Sequence, residues 1–275
     1  MSDPVDVAQQ YASSSLLDRI DAALALTGRD AARLDWRDLA PLDHFHSRGF
    51  AASTELAHAL APEPEAHVLD VGCGVGGSAR LLAATYGCRV TGIDLSPAAV
   101  AAATTLSERT GLGERTRFLE ADALALPFPD ATFDHAWTQH AAMNIADRAR
   151  LYAELRRVLK PGGRLAIHDV VEGVDGPLVF PVPWAATPQS NFLLTPAAMR
   201  AVLIEAGFEI LSWEDKTAVT LVGPPAPPVG DAGAAPPPLG SSVLAGPEYP
   251  RMVETFLRNL REGRAGAVQV IAARR

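Results

Sequence analysis

The segment Val68-Leu69-Asp70-Val71-Gly72-Cys73-Gly74-Val75-Gly76-Gly77-Ser78 constrains this chain more than any other. An apolar run enters a turn holding four glycines and leaves it in a helical pattern, ARLLAATYG. Glycines let a backbone take positive φ and come close to a ligand, and a helix that starts behind them offers unpaired N–H groups. A strand, a glycine turn and a helix in this order predict an α/β fold with its ligand at the carboxyl end of the first strand.

The rest of the chain continues the pattern. Short apolar runs, VLDV (68–71), RVTGID (89–94), TRFLEAD (116–122), DHAWTQ (134–139) and RLAIHDVV (164–171), alternate with helical stretches, which predicts βαβ units and a parallel sheet. Ser96-Pro97 and Thr195-Pro196 each supply an N-cap and a proline at the first helical position, and Gly207 ends the second of these helices. Leu151, Leu155, Val158 and Leu159 share one face of a helix that Lys160-Pro161-Gly162-Gly163 stops. The chain reads as one domain in four parts. Residues 1–60 form a helical cap, with Leu16, Leu17, Ile20, Leu24 and Leu26 near helical spacing, followed by Asp43-His44-Phe45-His46. Residues 61–222 form the ligand-binding core, and 223–250 a Pro/Gly/Ala-rich loop or lid. Residues 251–275 supply a last helix and the strand AVQVIAA (267–273).

Composition narrows the function classes. The 275 residues hold 24 Lys+Arg against 32 Asp+Glu, a formal charge of −8, with no basic stripe to release counterions from a phosphate backbone, so nucleic acid is not an expected partner. No run approaches the roughly 20 apolar residues of a membrane helix, and MSDPVDVAQQ lacks a signal-peptide layout, so a cytoplasmic protein without a membrane partner is expected. Cys73 and Cys88 form neither a disulfide framework nor a zinc pattern and read as reduced thiols.

Taken alone, Gly72, Gly74 and Gly77 satisfy GxGxxG, and Asp94 lies 22 residues after Gly72, where an acid binds ribose hydroxyls, so a nicotinamide cofactor is one reading. Against it stand Asp70, an acid at the strand end that suits an ammonium or sulfonium better than a pyrophosphate, and Asp122, placed to meet an exocyclic amine. Nothing after residue 140 resembles a dehydrogenase substrate domain.

The ordered segments VLDVGCGVGG, VTGIDLSPAAV, FLEADALALPFPDATFD and LRRVLKPGGRLAIHDV resemble a class I S-adenosylmethionine-dependent methyltransferase. The flanks at 39–57, 138–155 and 180–196 resemble the branch that contains sarcosine and dimethylglycine N-methyltransferases and their small-molecule relatives. The resemblance implies a Rossmann-like doubly wound sheet, mostly parallel with an antiparallel last strand, under an N-terminal helical cap. It implies S-adenosyl-L-methionine as cofactor and S-adenosyl-L-homocysteine as product. By position, Asp70, Gly72, Cys73, Gly74 and Gly76 hold the methionine part, and Asp94 chelates the ribose. Leu95 packs on adenine, Asp122 and the Ala123 N–H read its edge, Gln139 lies beside the sulfonium, and Tyr11 folds over the methionine carboxylate.

The acceptor is expected to be a small molecule, an amine nitrogen first, with O- or C-methylation in small-molecule or natural-product biosynthesis as the alternative. A nicotinamide oxidoreductase and a non-catalytic cofactor-binding scaffold are remoter readings. A hydroxyl or an acidic carbon needs a base, for which histidine is suited, and His140, His168 and His46 are the candidate catalytic residues. Met143, Asn144, Trp184 and Phe192, with Gln189, are candidates for the acceptor pocket. No paired acids with an Asn suggest a metal, and the expected assembly is a monomer or a homodimer.

Overall fold

The computed structural model describes residues 16–222, 239–246 and 248–275. Tyr11 and most of the expected lid lie outside the described residues.

The cap contains α1 (Leu16–Ala25), a 3-10 turn at Trp36–Leu39, α2 (Ala40–Asp43) and α3 (Gly49–Leu60). The α/β core follows as β1 (His67–Val71), α4 (Gly77–Tyr86), β2 (Arg89–Asp94), α5 (Pro97–Arg109), β3 (Thr116–Glu120), β4 (Phe133–Gln139), α6 (Arg148–Val158) and β5 (Leu159–Glu172). Then come α7 (Pro196–Glu205), β6 (Phe208–Asp215), α8 (Thr217–Val222), α9 (Ser241–Ala245), α10 (Tyr249–Arg261) and β7 (Ala265–Arg274). The strands form one sheet in the order β3-β2-β1-β4-β5-β7-β6. β7 runs antiparallel to both of its neighbours, and the pairs from β3 to β5 are parallel. The Rossmann-like sheet with an antiparallel last strand is therefore present.

The helix starts follow local chemistry. The Ser96 hydroxyl accepts the Ala99 N–H at 3.3 Å and Thr195 accepts that of Ala198 at 3.2 Å, each just before a proline at the first helical position. Alternation along the strands splits the core between the two faces of the sheet. Leu69, Leu165, Ile167 and Val270 pack with Leu151 and Leu155 of α6 on one side. Val68, Ala166 and Ile271 pack with Leu56 of α3 and Leu82 of α4 on the other. The cap thus lies on the α4 side.

Three strands depart most from the sequence reading. β3 stops at Glu120, because Asp122 turns the chain by accepting the Leu124 N–H at 2.8 Å. β5 begins at Leu159 and carries Pro161, Gly162 and Gly163 through a register shift against β4. β6 was not foreseen: it is an edge strand with exposed Leu211 and Glu209, and its weak alternation hides among charged residues.

Candidate active site

The glycine turn leaves β1 with Gly72 at φ +74°, Gly74 at +51° and Gly76 at +85°. The N–H groups of Gly72 and Cys73 both donate to the Ile93 carbonyl, at 2.9 and 3.0 Å, which ties the turn to the end of β2. A Cβ on Gly72 would overlap the Ala141 side chain just beyond β4, so only glycine meets both the dihedral angle and the space. Asp94 closes β2 and accepts the Gly74 N–H on Oδ2 and the Ser96 N–H on Oδ1, both at 2.9 Å. Burial raises the Asp94 carboxyl, while these backbone N–H groups pull it back.

Asp70 is 2% exposed, and its Oδ2 has no hydrogen-bond partner among the described residues. Burial, and then the like charge of Asp94, push it up to about 7. Leu95 is half-buried, and Ala123 is buried beside the Asp122 turn. The acids at the carboxyl ends of β1, β2 and β3 thus belong to three adjacent strands, the place where an open α/β sheet binds its ligand.

The cap is pinned to this site by a buried ion pair. Arg80 of α4 donates Nε to Asp43 Oδ2 at 3.2 Å and Nη2 to the other oxygen, and the two side chains are 0% and 1% exposed. Arg80 also donates to the Ser107 hydroxyl at 3.2 Å. Burial raises the Asp43 carboxyl to about 6 against the pull of Arg80. A Cβ on Gly77 would overlap Asp43, so the cap loop rests directly on the start of α4.

That docking carries His44 and His46 over the ends of β4 and β5. The Ser53 hydroxyl lies 2.9 Å from His44 Nδ1, 3.0 Å from His46 Nε2 and 3.0 Å from Gln139 Oε1, which also accepts Ser78 at 3.2 Å. Gln139 therefore joins the cap to α4. His140 sits at φ +52°, an uncommon conformation for a non-glycine residue, and donates its N–H to the His168 carbonyl at 2.9 Å. The His140 and His168 rings stack with centroids 5.2 Å apart, and His46 is 5.6 Å from His140. Burial holds all four imidazoles below their ordinary value: His46 at about 4, His44 and His168 at about 3, and His140 well below. They are neutral at physiological pH.

The structure thus gathers His46, His140, His168 and Gln139 in one cluster and places the glycine turn with Asp70 and Asp94 on the neighbouring strand ends. It separates the expected acceptor residues. Met143 and Trp184 pack with Val170, Val182 and Phe256 in an apolar cluster, and Trp184 Nε1 donates to Asn191 at 2.9 Å. Asn144 and Phe192 are half-buried, the Phe192 carbonyl accepts Arg148 at 3.4 Å, and Gln189 is exposed. Sequence reasoning missed Ser47, Ser53, Asp43 and Arg80. The arginine alone left a signal, as a charged residue in the middle of the apolar run ARLLAATY.

Comparison with known proteins bears on the family and the fold. A methyltransferase domain model matches residues 69–167. The 2-methyl-6-phytyl-1,4-hydroquinone methyltransferase of Synechocystis sp. is 40% identical over 49% of this chain and 45% of its own length. The chain therefore spans under half of that curated relative. The sarcosine/dimethylglycine N-methyltransferase of Halorhodospira halochloris is 30% identical over 78% of this chain and 76% of its own. The geranyl diphosphate C-methyltransferase of Streptomyces coelicolor A3(2), solved with Mg2+, geranyl-S-thiolodiphosphate and S-adenosyl-L-homocysteine, aligns over 100% of this chain and 99% of its own with a TM-score of 0.71. At 17% identity that likeness speaks for the fold. Among the described residues no helix is long and apolar enough to cross a membrane. With strand order, glycine turn, strand-end acids and a 30% identical methyltransferase matched over 76% of its length in agreement, the chain belongs to the class I S-adenosylmethionine-dependent methyltransferases.

Proposed function

We propose that the protein transfers a methyl group from S-adenosylmethionine to a small-molecule acceptor bound between the cap and the ends of β4 and β5. The observation that carries the reading is the pair of strand-end acids. Asp94 has both oxygens oriented by backbone N–H groups, with lone pairs left for two vicinal hydroxyls, and Asp70 keeps a buried carboxylate oxygen without a partner, the group an ammonium would complete. These residues fit the cofactor, which supplies an electrophilic methyl group on a sulfonium.

The chain's own residues then have separable tasks. Asp70 and the Gly72–Gly76 backbone hold the methionine end, Asp94 the ribose, and Leu95, Asp122 and Ala123 the base. Gln139 fastens the cap through Ser53 and Ser78, which excludes water and fixes the acceptor in line, the main source of rate in a direct displacement. The clustered, unprotonated rings of His46, His140 and His168 offer lone pairs to an acceptor that must lose a proton, which an amine attacking unaided does not need. The partners in this reading are the cofactor and that acceptor.

Isothermal calorimetry with S-adenosylhomocysteine tests the reading. Wild type is expected to bind, and Asp94→Ala to lose roughly 3 kcal/mol or more, from two carboxylate hydrogen bonds of about 1.5–3 kcal/mol each. No binding by wild type would refute it.

A further inference from the structure

The Ser47 hydroxyl stands where the cap loop meets the ends of β4 and β5. Its Oγ lies 3.0 Å from Nε2 of His140 and 3.4 Å from Nε2 of His168. A hydroxyl has one proton, so it donates to one ring and accepts from the other. Nδ1 of His168 is buried without a partner among the described residues. An orphaned N–H costs more than an orphaned lone pair, so His168 carries its proton on Nε2 and donates to Ser47. Ser47 then donates to Nε2 of His140. The chain of bonds has a direction that ends on a proton acceptor, and it leaves one lone pair on Ser47 Oγ, in a residue that is only half-buried.

The surrounding charges do not decide what that lone pair meets. His46 and the charged residues Arg48, Glu55 and Lys216 act on His168. The single carboxylate among them, Glu55, already binds Arg48 at 2.8 Å and Lys216 at 3.3 Å, and Lys216 also holds Glu214 at 2.8 Å. An ammonium acceptor finds no free carboxylate there, since the two cations and the carboxylates of Glu55 and Glu214 neutralise one another, so the proton acceptor at the end of the Ser47 chain is what selects the acceptor.

We propose that the acceptor presents a weakly acidic hydroxyl of the phenol type, and that Ser47 relays its proton to His140. The inference rests on the methyltransferase reading. The acceptor O–H gives its proton to Ser47 Oγ while the Ser47 proton passes to His140 Nε2. The freed oxygen pair forms the new O–CH3 bond as the sulfur–methyl bond breaks, with its electrons staying on sulfur, and His140 afterwards releases the proton to solvent. Burial keeps the His140 lone pair free at neutral pH and also makes the ring a weaker base, so His140 takes the proton only in passing and hands it on to solvent.

The test uses full-length protein with S-adenosylmethionine, a series of para-substituted phenols and the matching anilines, and product detection by mass spectrometry. Wild type is expected to methylate phenols in preference to anilines with a rate flat near neutral pH. Ser47→Ala is expected to lose roughly a hundredfold in kcat/KM at pH 7, as for a lost general base, and to regain rate as pH rises toward the phenol's own pKa. Ser47→Thr restores most of the loss. His140→Asn, a residue that tolerates the positive φ, shifts the pH profile as Ser47→Ala does and stands in for it if that variant does not fold. S-adenosylhomocysteine affinity stays at the wild-type value in each folded variant. Methylation confined to anilines, a wild type that binds S-adenosylhomocysteine and methylates no phenol, or identical pH profiles for wild type and variants would overturn the relay. Loss of S-adenosylhomocysteine binding by wild type would instead overturn the methyltransferase reading, and the relay with it.

Discussion

Replacing Asp70 by Asn removes, among the described residues, the one strand-end charge that is buried with a partnerless oxygen, while keeping its shape. The carboxyl sits at 3.8 in an open chain and is pushed up to about 7 in the fold. A raised acid contributes stability below its unfolded value and loses it as pH climbs through its folded value. At low pH both states hold the proton. Between about 4 and about 7 the unfolded chain has released it and the folded chain has not, so the fold loses about 1.4 kcal/mol per pH unit. From pH 5 to pH 8 this amounts to about 3 kcal/mol, of the order of 6–12 °C in Tm for a domain of this size. The assay is urea unfolding of wild type and Asp70→Asn at both pH values, in which their difference reports Asp70 and its coupling to Asp94 and cancels titrations elsewhere. The variant is expected to gain about 3 kcal/mol on wild type between pH 5 and pH 8, and to bind S-adenosylhomocysteine more weakly at both. A pH-independent difference would show that the carboxylate ionises there without cost, and would remove the argument that its charge is kept for a cationic ligand.

Three further outcomes follow from the same geometry. Asp43→Ala leaves Arg80 buried and unpaired and is expected to cost about 3–5 kcal/mol in urea unfolding, whereas Asp43→Leu with Arg80→Met recovers most of it, a contrast that a surface ion pair would not give. Gly72→Ala strains a φ of +74° and overlaps Ala141, so it should lower stability by about 1–3 kcal/mol and abolish S-adenosylhomocysteine binding by calorimetry; unchanged affinity would show that the turn is not the binding surface. His46 is depressed from 6.5 to about 4, and a depressed base loses stability as pH falls through its unfolded value, so wild type should lose about 3 kcal/mol relative to His46→Gln between pH 7 and pH 4. Equal slopes for the two proteins in urea unfolding would refute the burial of a neutral ring.

The glycine turn, the strands ending in Asp70 and Asp94 and the capped helices after Ser96 and Thr195 are legible in sequence. Each is set by neighbours within about a turn or a strand length, and a φ above zero or an N-cap needs a particular residue at a particular place. β6 was not legible, since an edge strand buries one face only partly and FEILSWED shows little period. The histidines were readable as candidates, but not as a group. His46 and His140 lie 94 positions apart, and the cap loop reaches the strand ends through long-range contacts such as the Arg80–Asp43 pair, 37 positions apart, and the Ser53–Gln139 hydrogen bond, 86 positions apart.

Trp184 shows the converse. Its composition suits a pocket wall, yet its partners Phe256 and Val182 make it core, and no local pattern distinguishes the two. The sequence by itself determined the parallel strands β1 to β5, the glycine turn and the places of Asp70 and Asp94 at strand ends, because those depend on backbone conformation and short-range periodicity. Tertiary structure alone decided that Ser47 bridges His140 and His168, that Gln139 is clamped by two serines, and that four imidazoles stay neutral. Burial and hydrogen-bond partners come from segments far apart in the chain, and their strength depends on the solvent that packing excludes.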